Sequence, residues 1–243
     1  MSDAAHADGS VRLSKRLMEL HGFSRSLAEQ YIEGGWVQVD GVVVETPGAR
    51  VQPAQQVTLA AEASPLALTP VTLLVHKPSG TSITQLLAQL AREQHWDGDA
   101  TAPRRLARHL RQQECVAPLP PKASGLVVLT QDRRIARKLH EDAQMLEQEC
   151  IAEVEGTLSE AGLKTLCHGL TLDGWVLPPI KVSRQSEQRL RFALKGIPPE
   201  AIQAMCHAVG LRLVGLHRLR IGRVALAKLP AGQWRYLAGW ERF

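Results

Sequence analysis

Three groups of side chains in this sequence stand out for the chemistry they could do: cations, thiols and carboxylates. The cations gather as Arg12, Lys15, Arg16 and Arg25, then Lys77 in a Lys-Pro-Ser-Gly turn, then Arg104, Arg105, Arg108 and Arg111 at helical spacing. Cations grouped in this way can meet phosphate oxygens, and a helix N-terminus beside them adds oriented N–H donors. The thiols Cys115, Cys150, Cys167 and Cys206 are scattered, with no Cys-x-x-Cys pair. They read as reduced core residues rather than a disulfide or zinc framework, so no metal and no cofactor is expected. The third feature is the stretch Ala117–Asp132, where Ser124-Gly125 reads as a turn entering a short buried strand, Leu126–Thr130. Pro118, Pro120 and Pro121 precede that turn. Proline supplies no nucleophile, base or charge. The nearby carboxylates are Glu114, Asp132, Asp173 and Glu200, the last read as a solvated residue at a helix start.

The elements that must hold these groups follow from length and pattern. The 243 residues are 44% hydrophobic and 22% charged, which suits one large domain and a small one. A formal charge of +5 fits a polyanion partner without requiring one. Met1–Ser10 has neither a basic region nor an apolar run, so no signal peptide is expected, and no stretch approaches a membrane span. A cytoplasmic monomer is the expectation. Residues 1–10 are expected to be disordered, 11–60 to form a small module, 61–70 a linker, and 71–243 the main domain.

In the module, Leu13, Leu17 and Leu20 have helical spacing, with Ser10 or Ser14 as cap and His21-Gly22 as stop. Ser24 caps a second helix carrying Leu27, Ala28, Tyr31 and Ile32. Asp40-Gly41 then turns a hairpin between Trp36–Val39 and Val42–Val44. Further on, Leu86, Leu87 and Leu90 predict a helix and 95–103 an exposed loop. Val71–Val75, Ile151–Val154, Lys181-Val182, Leu190–Leu194, Leu213–Leu216 and Ile221–Leu226 predict strands, and Glu200–Val209 a helix opened by Pro198-Pro199.

The run Leu20-His-Gly-Phe-Ser-Arg25, with Ala28, Ile32, Gly35 and Val37-Gln-Val-Asp-Gly41, resembles the αL RNA-binding module first named for ribosomal protein S-four. Lys77-Pro78-Ser79-Gly80, the Ala117–Asp132 stretch and the segment Leu219–Leu237 resemble bacterial RNA pseudouridine synthases of the RsuA/RluF type. The resemblance runs over nearly the whole chain. It implies an α+β fold: a small αL module followed by a domain with a mainly antiparallel mixed sheet. It also implies structured RNA, ribosomal RNA or its precursors, as partner, with Arg12, Lys15, Arg16, Ser24, Arg25, Lys77, Arg104, Arg105 and Arg108 as candidate contacts.

Against that pattern the chain has three losses. The family motif resembles GRLDxxTSGLLLLTND, and its aspartate falls on Pro120 here. Its tyrosine, in a stretch like EKEYLV, falls on Cys150. Its basic run, like GRKRQIRRMC, meets Gly196–Cys206, where Pro199 and its neighbours leave no Arg or Lys. Isomerising uridine requires an ionised carboxylate against a flipped base, as nucleophile or base. A buried cation without that carboxylate is an unpaired charge, so losing both together is physically coherent. The expectation is an RNA-binding pseudoenzyme connected with ribosome biogenesis. The alternatives are an active synthase that uses unconventional residues, and a scaffold whose proline loop presents a protein-binding surface.

Overall fold

Leu13, Leu17, Ala28, Tyr31 and Ile32 lie on the facing sides of two short helices, and their burial organises a small N-terminal unit. A computed structural model describes residues 9–64, 69–101, 104–168, 170–172 and 174–243. The chain divides into two compact units, one comprising residues up to 70 with 104–112, the other 71–103 with 113–243. The expected disordered start lies outside the described residues except for Gly9 and Ser10, and Ser10 is buried. Residues 65–68 of the expected linker also lie outside them.

In the small unit, α1 (Leu13–His21) ends where Gly22 takes a left-handed φ of 69°, its N–H returning to Met18 O. Neither Ser10 nor Ser14 caps α1. Leu13 N and Ser14 N donate instead to Ala49 O at 2.7 Å and Pro47 O at 3.1 Å, so a distant loop satisfies the helix start. Ser24 caps α2 (Arg25–Glu33) as expected, accepting from Leu27 N. Strands β1 (Val37–Val39) and β2 (Val42–Val43) pair around Asp40-Gly41, both at positive φ, and β3 (Val57–Leu59) pairs with β1.

Residues 104–112 belong to this unit rather than to the larger one, which corrects the sequence reading. Their expected helix is a single 3-10 turn at Ala107–Leu110. Leu106 is buried against Gly35, Arg104 donates to Gly35 O at 2.6 Å, and Arg108 lies 3.6 Å from Glu33.

The larger unit is built on β4 (Thr72–Lys77), α3 (Ile83–Gln89), β5 (Ser124–Thr130), α4 (Arg133–Glu141), β6 (Glu147–Glu155), α5 (Glu160–Cys167), β7 (Lys181–Ser186), β8 (Arg189–Lys195), α6 (Ala201–Ala208), β9 (Arg212–Ile221) and β10 (Trp234–Tyr236). The sheet order is β7-β8-β6-β9-β5-β4-β10, with short strands Glu114–Cys115 and Val224–Ala225 added beside β5 and β9. Within that order only β9 and β5 run parallel, through His217↔Ser124 and Arg218↔Gly125. The two strands expected over 213–226 are one ten-residue strand and a short return. Leu126 and Val128 of β5 meet Leu74, Ile221, Ala136 and Leu139 in one core, and this packing fixes α4 on the sheet. Among the described residues, no helix is long and apolar enough to cross a membrane.

Of the expected exposed loop at 95–103, the described residues 95–101 are partly buried, because His95 and Asp99 hold β10 in place. The His95 ring packs on Trp234 at 4.6 Å, and its Nε2 lies 3.0 Å from Asp99. Burial alone would push the Asp99 carboxyl up. Hydrogen bonds from the Thr101 hydroxyl, the Tyr236 and Thr101 N–H groups and His95 outweigh that, holding it below the usual carboxylate range. A depressed carboxyl stabilises the fold above its unfolded pKa, and the contribution is lost as pH falls through the folded value. Asp99→Asn is therefore expected to lower stability at pH 7 by roughly 2 kcal/mol and to flatten acid denaturation below about pH 4. Thermal melts of both proteins from pH 3 to 7 check this.

Candidate functional site

The stretch entering β5 is held by an internal cation. Lys77 is fully buried at the end of β4, and its ammonium donates to Ala123 O at 2.5 Å, Pro121 O at 3.0 Å and Pro78 O at 3.1 Å. All three protons are thereby used, and desolvation pushes the lysine pKa down. Ser79 Oγ adds a bond to Lys122 O at 2.7 Å, and Gly80 N one to Pro121 O at 2.9 Å. Lys77 therefore ties two turns together and does not face phosphate, which corrects its reading as an RNA contact. Pro120 is half-buried in this braced turn, its carbonyl accepting from Ala123 N at 3.0 Å.

Cys150 lies at the centre of β6, opposite Phe192 on one side and Arg218 on the other, with no exposed surface. Burial pushes its thiol up to about 12, so at neutral pH it is a packed, protonated group. Pro199 is buried in the turn before α6. The carboxylates flanking Cys150 are already paired. Arg191 and Arg220 hold Glu149 below its usual range, and Arg220 also bonds Glu147. Asp132 caps α4, accepting from Arg134 N at 2.8 Å. Glu114 faces His140 at 3.1 Å. Asp173 lies outside the described residues.

The sequence reading missed a cation here. Arg218 of β9 is only 1% exposed. Its Nε donates to Leu126 O at 2.8 Å, and its terminal nitrogens donate to Gln148 Oε1 at 2.9 Å, Pro118 O at 3.4 Å and Ala117 O. Among the described residues no carboxylate pairs with it, and burial pushes the guanidinium down to about 10. It remains charged at neutral pH, stabilised by the neutral dipoles bonded to it and, with no direct ion pair, by the charge of Glu200 across the cavity. The signal for it was the alternation of β9, in which Leu216 and Arg218 share the buried side.

Arg218 and Gln148 line a cavity of about 490 Å³ with Ala117, Pro118, Leu139, Pro198 and the exposed residues Trp175 and Glu200. Its lining is mainly apolar, with few polar groups, a composition that suits a planar organic ligand.

The remaining candidate contacts are dispersed over the small unit. Arg12 precedes α1, with Lys15 and Arg16 half-buried on it. Ser24 spends its hydroxyl on the α2 cap, and Arg25 pairs with Glu29 at 2.8 Å. Arg104 stacks over Trp36 at 3.9 Å, and with Arg108 it engages the small unit itself; Arg105 is exposed.

Comparison with known proteins agrees with these two units. The S4 domain family matches residues 11–57. The dual-specificity RNA pseudouridine synthase RluF of Escherichia coli K12 is 27% identical over 237 residues, covering 95% of this chain and 76% of the relative. An uncharacterized RNA pseudouridine synthase of Aquifex aeolicus is 28% identical over 234 residues, covering 93% and 90%. A crystal structure of a pseudouridylate synthase superposes with a TM-score of 0.60 at 20% identity, covering 93% of this chain and 96% of the other. The chain thus carries an S4 domain followed by a pseudouridine synthase fold, and is a homologue of the RNA pseudouridine synthases of the RluF/RsuA type.

Proposed function

We propose that this protein binds structured RNA, ribosomal RNA or its precursors, in the cytoplasm, on a synthase fold that no longer isomerises uridine. The observation that carries this reading is the environment of Arg218, where backbone carbonyls and an amide surround the guanidinium and Pro120 stands in the motif. Without an ionised carboxylate beside the glycosidic bond, neither nucleophilic attack nor base catalysis proceeds. The S4 domain supplies the binding half, with Arg12, Lys15 and Arg16 set around the start of α1. The competing reading, an active isomerase on unconventional residues, would have to use Glu200, a carboxylate in the cavity wall.

Binding of a ribosomal RNA fragment is expected to fall steeply with salt, by about 10³-fold between 50 and 200 mM if some six phosphates are contacted. Replacing Arg12, Lys15 and Arg16 together by Gln should reduce the salt slope by about three. Filter binding at several salt concentrations measures both, and salt-independent binding contradicts the reading.

A further inference from the structure

We propose that the cavity beside β6 and β9 takes an unpaired guanine of the bound RNA, with Trp175 stacking on the base and Glu200 accepting from its Watson–Crick edge. The inference rests on the RNA-binding reading and adds which base the cavity recognises.

Three features of the cavity lead to this ligand. Its walls at Val116, Leu139, Leu146 and Ile197 are aliphatic and suit the faces of a planar ring. The indole of Trp175, in the hairpin of Thr171–Leu172 and Trp175–Val176, lines the same cavity while 48% exposed, an arrangement that leaves surface for stacking. The polar groups are sorted by kind. Glu200, when ionised, only accepts; Arg218 only donates; and Gln148, whose Oε1 already accepts from Arg218, has its amide nitrogen left to donate.

That sorting discriminates between bases. Guanine presents two adjacent donors, N1–H and the N2 amine, which match the two oxygens of one carboxylate, with O6 beside them for a donor. Uracil presents a single N3–H between two carbonyl oxygens, so a carboxylate approaching it meets like partial charges on both sides. Cytosine and adenine each set their amine beside a ring nitrogen that accepts. Of the four, guanine alone has an edge that meets an acceptor-only group at two points.

The test uses the full-length protein and fluorescently labelled heptauridylates in which the central base is G, inosine, A, C or U. Anisotropy titration is expected to show the G heptamer binding about tenfold tighter than those with A, C or U. Inosine, which lacks the N2 amine, should lose most of that advantage. Glu200→Gln should abolish the preference for G, and Trp175→Ala should weaken the G heptamer about tenfold. Both variants should bind the ribosomal fragment with unchanged salt dependence. Equal affinity for the G and U heptamers, or a G preference that survives Glu200→Gln, overturns the guanine site. If that happens while the fragment still binds, only the guanine assignment falls; if the fragment does not bind at all, the RNA reading falls with it.

Discussion

Arg218→Ala is expected to destabilise the protein by on the order of 4 kcal/mol, lowering the melting temperature by roughly 10 °C. The truncation leaves Leu126 O, Pro118 O, Ala117 O and Gln148 Oε1 without their donor and opens a void between β5, β6 and β9. Arg218→Lys keeps the charge but loses the planar fork that serves four acceptors, and should fall between the wild type and the alanine variant. Arg218→Met fills the volume without the charge, so comparing it with Lys separates packing from hydrogen bonding. Calorimetry of the series checks the order. A loss below about 1 kcal/mol for the alanine variant would mean that the guanidinium does not hold the motif turn.

Gly125→Ala should be at least as severe. Gly125 has a φ of 108°, and a Cβ there would stand 2.3 Å from Arg218 O and 2.6 Å from Arg218 N. Both atoms are backbone and cannot swing aside, so β5 and β9 must separate where they run parallel. A loss of about 4 kcal/mol or more is expected, with much of the protein insoluble on expression. Gly80→Ala is the control. Its φ of 83° is also left-handed, but nothing lies within 4 Å of the added carbon, so only backbone strain of about 1–2 kcal/mol applies. Gly125 and Arg218 meet at the same point, so their double mutant should lose less than the sum of the singles.

The sequence was most legible where local chemistry decided the outcome. Gly22, the Ser24 cap and Asp40-Gly41 gave the small unit its helix stop, helix start and hairpin, and each stands where the residue types required. The buried strand at Leu126–Thr130 was legible as an apolar run, although it begins at Ser124 and so takes in the Ser124-Gly125 pair read as a turn. What escaped was set by contacts distant in sequence. A lysine beside a Pro-Gly turn reads as a surface cation, and nothing local shows that three carbonyls, up to 46 residues away, enclose Lys77. Arg218 sits within a recognised segment, yet its burial depends on the Ala117–Pro118 turn and Gln148 closing over it. The 104–112 strap was misplaced because Leu106 and Arg104 find their partners at Gly35 and Trp36, some seventy residues earlier. Pro120 can be read directly from the sequence, whereas the packing of Arg218 against the Ala117–Pro118 stretch cannot.

Release of tritium from ribosomal RNA labelled at uridine C5 reports isomerisation itself, because forming the new carbon–carbon bond expels that atom. With the full-length protein in excess, release is expected to stay at the level of a protein-free blank, and Pro120→Asp alone should not raise it while Cys150 remains a buried thiol. Release of one tritium per RNA by the unaltered protein, abolished by Glu200→Gln, would establish an active isomerase instead.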